Sequence, residues 1–455
     1  MSLKRNWEPV INKVRNRLSS WKETHLSFGG RLTLTKSVLG SLPLYFFSLF
    51  KAPNSVIDLI EKIRRKFLWG GDDNCKKIHW VAWKVVLGPK DRGGLGIGSM
   101  CSLNWALLLK WIWRFENEKT SLWRRVVHGT HNLEKKPVSA LCKISIPGVW
   151  QNITKTIDAL EGIGINLSDL FELQLGDGND IRFSLDRWIG DKSLARQFPD
   201  IAVLDRKKSA SMAERIDGSN GGLSWKRKPN STEELDQFQS LIGLIGNKHL
   251  TPAPDKLNSR LNVDGNFYVS DFRHKIDLHI TQFMQNITIW MHLVPLKILC
   301  FIWRVCIGRI PTSLELSKRG MVINNPACRQ CLDGTDETAD HLFAVCPFAK
   351  AVQLKIWIWC SITDPPDFVT VNDIISYAAN WGHCPKKRKI LLAIVYGYIW
   401  SMWRMRNDRI FNKVCGSISK VADDVFSLVY DWVKHRGNFR NLNWTTWCCN
   451  PLNIL

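Results

Sequence analysis

Apolar positions recur at helical spacing through the first hundred or so residues. Trp7, Val10, Ile11, Val14 and Leu18 form one stripe at i, i+3, i+4, i+7 and i+11, with Lys4, Arg5, Lys13, Arg15 and Arg17 around it. That pattern predicts a basic amphipathic helix packed by one face. Helical stretches follow after Gly29-Gly30 (RLTLTKSVLG) and after Pro43 (LYFFSLF). Pro53-Asn54-Ser55 opens the clearest helix. Ser55 with Asp58 reads as an acidic capping box, Val56, Leu59, Ile60, Ile63 and Phe67 repeat behind it, and Gly70-Gly71 stops it. From Leu103 to Phe115 the sequence LNWALLLKWIWRF is apolar nearly all round, as expected of a buried helix.

From about Phe171 the pattern shortens to alternating segments such as IRFSLDRW, separated by Gly and Asp, which predict a small β-containing module. Residues 206 to 235 are polar, basic and rich in Gly and Ser, and read as a linker or mobile loop. NVDGNFYV, with Asp264-Gly265 at its centre, has the chemistry of a β-hairpin turn. Helices return from about Ile287. The longest apolar run, Ile390 to Trp403, would reach only about 21 Å as a helix, short of the ~30 Å of a bilayer core, so no membrane span is expected. No solenoid repeat is present. The expected fold is mainly α with small β elements in several modules: a helical N-terminal region (1–120), a spacer with a small β-containing module and basic linker (121–255), and two further helical regions (256–360 and 361–455).

Composition sharpens this picture. With 455 residues, 45% of them hydrophobic and 23% charged, the chain has ample material for about three cores and is neither a disordered nor a membrane-embedded type. Lys and Arg number 63 against 41 Asp and Glu, a net charge of +22 that favours a polyanionic partner such as RNA or DNA. The 22 Trp read as core, since aromatics carry much of a protein's buried area. Thirteen Cys without an apolar leader in MSLKRNWEPV favour reduced thiols in the nucleus or cytosol.

Cys328, Cys331, His341 and Cys346 give C-x2-C-x9-H-x4-C, two thiolates on a knuckle followed by an imidazole and a third thiolate. Such a set suits tetrahedral zinc, and with four protein donors and no open position the single ion would be structural. Pro326 and Asp333-Gly334 suit the flanking turns, Asp336 is placed to cap a helical turn bearing His341, and Pro347 suits the first turn of a helix whose amides would stabilise the Cys346 thiolate. Cys75 with His79, the Cys448-Cys449 pair and Gly71-Asp72-Asp73 are weaker candidates without supporting partners nearby. The glycines of RGGLGIGS fit neither the dinucleotide nor the phosphate-loop spacing, and no nucleophile elbow occurs. Nothing supports hydride transfer, acyl transfer or ATP hydrolysis.

Basic clusters are the candidates for phosphate contact: Lys4, Arg5, Arg15 and Arg17; Arg64, Arg65 and Lys66, which also complement a helix dipole; Lys76 and Lys77; and Arg404 and Arg406, interleaved with Trp400 and Trp403 and followed by Arg409. For the last group, packed Trp and solvated Arg is the competing reading. Lys386, Lys387, Arg388 and Lys389 after Pro385 form a compact cluster of nuclear-localisation type, and KRKP at 226–229 is a weaker second.

The segment CRQCLDGTDETADHLFAVCPFAKAVQLKIW, with PLKILCFIWRVCIGRIPTSLELSKRGM before it, resembles the zinc-binding domain that follows the reverse transcriptase in plant non-LTR (LINE-type) retrotransposon polyproteins. WKETHLSFGGRLTLTKSVLGSLPLYFFSLFKAP, FLWGG, KKIHWVAW and GPKDRGGLGIGS resemble the region directly after the polymerase palm, and GDGNDIRFSLDRWIGD and WRMRNDRIFN resemble the spacer and the C-terminal tail. The resemblance implies zinc on Cys328, Cys331, His341 and Cys346, RNA or DNA as partner, and 256–360 as the zinc-binding domain, while the thiols and the Lys386 to Lys389 cluster favour nuclear over cytoplasmic residence. It also implies a parent activity of RNA-directed DNA synthesis. The aspartate motif of the palm does not occur here, so the chain by itself is expected not to polymerise and to correspond to the C-terminal part of such a polyprotein. Two alternatives accompany this reading: a host-retained, zinc-dependent protein-interaction module, and a decayed transposon fragment without function.

Overall fold

The apolar run behind Ser99 forms the helix Met100–Asn117, whose Ser99 hydroxyl accepts the amide of Cys101 at 3.0 Å. It belongs to a computed structural model that describes residues 4–19, 26–71, 77–131, 146–190, 192–216, 225–246, 249–285, 288–331, 333–437 and 442–453. The described chain is mostly helical, with a single two-stranded sheet among the described residues, as the periodicities predict. It divides into two units: one of Met1–Arg17, Leu39–Ile63 and Gly98–Gln282, the other of Leu18–Val38, Arg64–Ile97 and Phe283–Leu455.

In the first unit, Met100–Asn117 buries Ala106, Leu108, Leu109, Ile112 and Phe115 with residues of Val149–Glu161 and Val269–Ile280. Trp7, Val10 and Ile11 of the N-terminal stripe pack with Phe47, Val56, Ile57, Ile60 and Met100. The helix Asn54–Trp69 starts two residues earlier than Ser55 as N-cap would set it, because the Pro53 carbonyl accepts the amides of Val56 (2.9 Å) and Ile57 (3.1 Å). Ser55 therefore lies inside the helix, and the capping box with Asp58 is not the device that begins it. Its end falls at Gly70, as expected from the glycine pair.

The sheet pairs Phe171–Gln174 antiparallel with Lys256–Ser259, Phe171 opposite Ser259 and Gln174 opposite Lys256. Asn117, at the end of its helix, brackets the second strand: it donates to the Leu257 carbonyl and accepts its amide, each at 3.0 Å. Between strand one and residue 181 the chain wraps around Asp255, a buried carboxylate that accepts the amides of Gly176 (2.7 Å), Gly178 (3.0 Å), Asp180 (3.0 Å) and Ile181 (3.2 Å). Gly178 holds φ of +71°, and a Cβ there would meet Met212 and Ala213 at 2.9 Å, so no other residue fits without displacement.

Three expectations are corrected in this unit. IRFSLDRW gives only an isolated antiparallel bridge, Arg182 opposite Ser211, and then turns, because Asp186 accepts both the backbone amide (2.8 Å) and the guanidinium (2.7 Å) of Arg182 four residues before it. The presumed linker is folded at both ends: Arg215 pairs with Asp205 in the interior, and Ser231 with Glu234 forms the capping box of the helix Thr232–Ile245. Only residues 217–224 of it lie outside the described chain. Asp264-Gly265 does turn the chain, with Gly265 at φ +68°, but Lys256–Ser259 pairs with the earlier strand and the chain after the turn enters a helix, so there is no hairpin.

In the second unit the helix Phe28–Ser37 is capped by Ser27, whose hydroxyl accepts the Gly30 amide at 3.1 Å; both glycines thus sit inside the first turn instead of preceding the helix. One core joins residues of Leu296–Cys306, Pro347–Trp359, Val371–Asn380, Pro385–Asn407 and Ile418–Arg436. The longest apolar run is the buried middle of Pro385–Asn407, and no helix among the described residues is long and apolar enough to cross a membrane. Trp residues are core here as well: Trp303 is fully buried and donates to the Gly93 carbonyl (2.8 Å), and Trp359 donates to that of Trp447 (2.9 Å).

Candidate metal centre

Cys328 is set by a pinched turn. Its amide donates to the Thr335 carbonyl (2.8 Å) and the Glu337 amide donates to the Pro326 carbonyl (2.9 Å), an antiparallel bridge that brings the two ends of the knuckle together. Within the knuckle the Gln330 amide points at the Cys328 sulfur, at 3.4 Å. His341 opens a short π-helical turn, His341–Val345, whose amide cap is Thr338 Oγ1 (3.0 Å) and not Asp336, which is engaged in the bridge to Ala327. That wider turn closes with the Cys346 amide on the His341 carbonyl (2.8 Å), returning Cys346 to the same side as the imidazole. Pro347 then begins Pro347–Trp359, and the amides of Phe348 and Ala349 point at the Cys346 sulfur, as the proline position suggested.

The four donor atoms lie within 4.8 Å of one another, and Cys331 Sγ is 3.3 Å from His341 Nε2. Tetrahedral zinc at ~2.3 Å from sulfur and ~2.0 Å from nitrogen requires donors roughly 3.3–3.8 Å apart, so a contraction of about 1 Å at most completes the shell. Cys328, Cys346 and His341 are buried and Cys331 partly so. The Cys328 thiol is held down to about 5, chiefly by a hydrogen bond from the Cys346 thiol, helped by the Gln330 and Cys331 amides and the His341 imidazole. As donor of that bond Cys346 is pushed up, and burial pushes Cys331 up. The negative charge thus rests on Cys328 while its two neighbours hold their protons, which a bound cation would displace. Three thiolates and one imidazole, with no fifth donor side chain in the cluster among the described residues, make a tetrahedral site for one zinc ion that supplies cross-linking.

Sequence reasoning missed what surrounds these donors. Glu337 (0% exposed) accepts Arg406 through two bonds of 2.6 and 3.0 Å and also accepts the Ser313 amide at 2.8 Å, while Arg406 (4% exposed) lies over the Trp403 ring. Arg409 donates to the carbonyl (3.3 Å) and the side-chain oxygen (3.1 Å) of Gln330. Arg406, a candidate phosphate contact by its sequence position, is engaged in an internal ion pair with Glu337, and Arg64, another such candidate, is buried. An acidic residue four positions before the ligand His341, inside the distinctive ETADHLFAVC block, was the available signal for Glu337.

The remaining basic candidates are spread over the molecule. Lys4, Arg5, Arg15 and Arg17 are exposed around the N-terminal helices, as are Lys77 and Arg404; Arg65 and Lys66 are half-buried; Lys76 lies outside the described residues, as do Cys75 and Asp72-Asp73. Lys386, Lys387, Arg388 and Lys389 form the first turn of Pro385–Asn407, where Arg388 donates to the Gly382 carbonyl at 2.8 Å. Trp400 and Trp403 pack on Phe301 with ring centroids 5.2 and 5.5 Å away, and do not stand out as a stacking platform.

Residues 267–353, which enclose all four donors, match the family described as zinc-binding in reverse transcriptase. The chain thus contains a reverse-transcriptase zinc-binding domain. It is 30% identical over 368 residues, 77% of its own length, to an Arabidopsis thaliana protein named "Putative ribonuclease H protein", and spans 55% of that relative's length. It is also 28% identical over 158 residues to an "Uncharacterized mitochondrial protein" of Arabidopsis thaliana, covering 34% of this chain and 96% of that one.

Proposed function

We propose that this chain is the part of a LINE-type retrotransposon reverse transcriptase that lies beyond the polymerase palm, and that it holds RNA or target DNA while zinc fixes the fold of its C-terminal half. The observation that carries this reading is the clustering of Cys328, Cys331, His341 and Cys346 inside a stretch matching the zinc-binding domain of reverse transcriptases. The surplus of +22 and the exposed Lys4, Arg5, Arg15, Arg17, Lys77 and Arg404 support phosphate contact. In this reading the sequence modules 1–120, 121–255, 256–360 and 361–455 are the post-palm region, spacer, zinc-binding domain and tail, and Lys386 to Lys389 direct the chain to the nucleus. The chain alone does not polymerise: primer extension on an RNA template with magnesium and dNTPs gives no template-dependent product.

Binding is tested by fluorescence anisotropy of single-stranded RNA with the full chain between 50 and 200 mM salt. Counterion release makes affinity fall steeply with salt. A flat dependence, or no binding at low salt, rejects the reading. One observation favours a protein partner instead: Leu354 and Ile358, one turn apart on the helix that follows Cys346, are 58% and 66% exposed. Saturable, salt-insensitive binding to a protein with none to RNA would establish that alternative.

A further inference from the structure

The matched zinc-binding domain ends at residue 353, yet the side chains that grip the zinc loop come from more than fifty residues later. Gln330 stands between the ligands Cys328 and Cys331, and its amide donates to the Cys328 sulfur at 3.4 Å. Three residues at the end of Pro385–Asn407 and just beyond bear on it or its neighbour. Arg409 holds its carbonyl and side-chain oxygens, Met405 sulfur lies 3.6 Å from its side-chain nitrogen, and Arg406 clamps Glu337, which closes the other arm of the loop through Pro326. Ser313 completes the seat of Glu337 from a third segment.

We infer that Arg406 and Arg409 are positioning residues of the zinc centre, so that the functional metal-binding unit extends from the matched domain into the C-terminal helices. Groups that orient metal ligands through a hydrogen bond typically change metal affinity by about 10- to 100-fold when removed. The geometry separates two routes. Arg409 acts on the knuckle that presents Cys328 and Cys331, whereas Arg406 acts through Glu337 on the bridge joining that knuckle to the segment bearing His341. Arg406 needs its planar fork to serve both carboxylate oxygens, which a lysine ammonium cannot reproduce.

The inference goes beyond the proposed nucleic-acid role and does not depend on it. It is tested on the full chain by zinc competition against a chromophoric chelator, with the d–d spectrum of the cobalt-substituted protein as a second readout. Arg409→Ala, at a partly exposed position, and Arg406→Lys are expected to keep the wild-type far-UV circular dichroism, lower zinc affinity by about 10- to 100-fold, and alter the cobalt band. Leu354→Ala, exposed on the neighbouring helix, leaves both unchanged. Should Arg406→Lys not fold, Arg409→Ala and Gln330→Ala decide the matter. Wild-type zinc affinity and an unaltered cobalt spectrum in Arg409→Ala and Gln330→Ala would overturn the inference.

Discussion

Replacing Asp255 by Asn tests how the spacer is held. The carboxylate is buried and serves four backbone amides over 2.7–3.2 Å, Gly176 and Gly178 on one oxygen, Asp180 and Ile181 on the other. An asparagine keeps one acceptor oxygen and turns an NH2 group toward the other two amides, so two charge-assisted bonds are lost and donors face donors. At about 1.5–3 kcal/mol for each bond to a charged group, the cost is about 3 kcal/mol or more. Hydrogen exchange of the segment 176–181, followed by mass spectrometry on the full chain, reads this as a fall in protection of at least a hundredfold. Asp255→Ala, which strips all four acceptor contacts, should lose still more. A change below about 1 kcal/mol in Asp255→Asn would mean that the loop is held by its flanking strand pair and that the carboxylate contributes little.

Gly397→Ala places a Cβ 2.5 Å from Val429 Cγ2 across the crossing of two packed helices, and is expected to cost about 1–3 kcal/mol in urea unfolding; adding Val429→Ala should recover part of that loss, and a simple sum of the two costs would refute the close-contact explanation. Glu116 is pushed up to about 7 by burial, so its folded state holds a proton that the unfolded chain releases nearer 4.5. Stability from this group is fully present below 4.5 and is lost as pH rises through 7, so Glu116→Gln should gain stability over wild type at pH 8 and not at pH 4 in thermal unfolding. An equal effect at both pH values refutes the shift. Reversing Lys4, Arg5, Arg15 and Arg17 together should weaken single-stranded RNA binding and flatten its salt slope by up to about 3; an unchanged slope removes the N-terminal helices from the interface.

Much of the fold was legible because it is written in local periodicity: the Trp7 stripe, the Leu103 to Phe115 run and the Gly70 stop all behave as their spacing predicts. The four metal donors were legible for a different reason, since ligand spacing reflects the chemistry of one ion. What sequence could not display were interactions over long separations. Asp255 organises a loop nearly eighty residues earlier, and Arg406 reaches Glu337 across 69 residues, so an arginine beside tryptophans looks the same whether it faces phosphate or a buried carboxylate. Alternation at IRFSLDRW yields one antiparallel bridge, Arg182 with Ser211, and no longer strand, because the Asp186 carboxylate turns the chain directly after it.

The central claim is a closed, structural zinc centre on three thiolates and one imidazole. Elemental analysis of the purified full chain, beside Cys331→Ser and Cys346→Ser, tests it most directly. The account predicts one zinc per wild-type chain and loss of that zinc in both variants. A wild-type chain without zinc, or variants that retain it in full, would contradict the account.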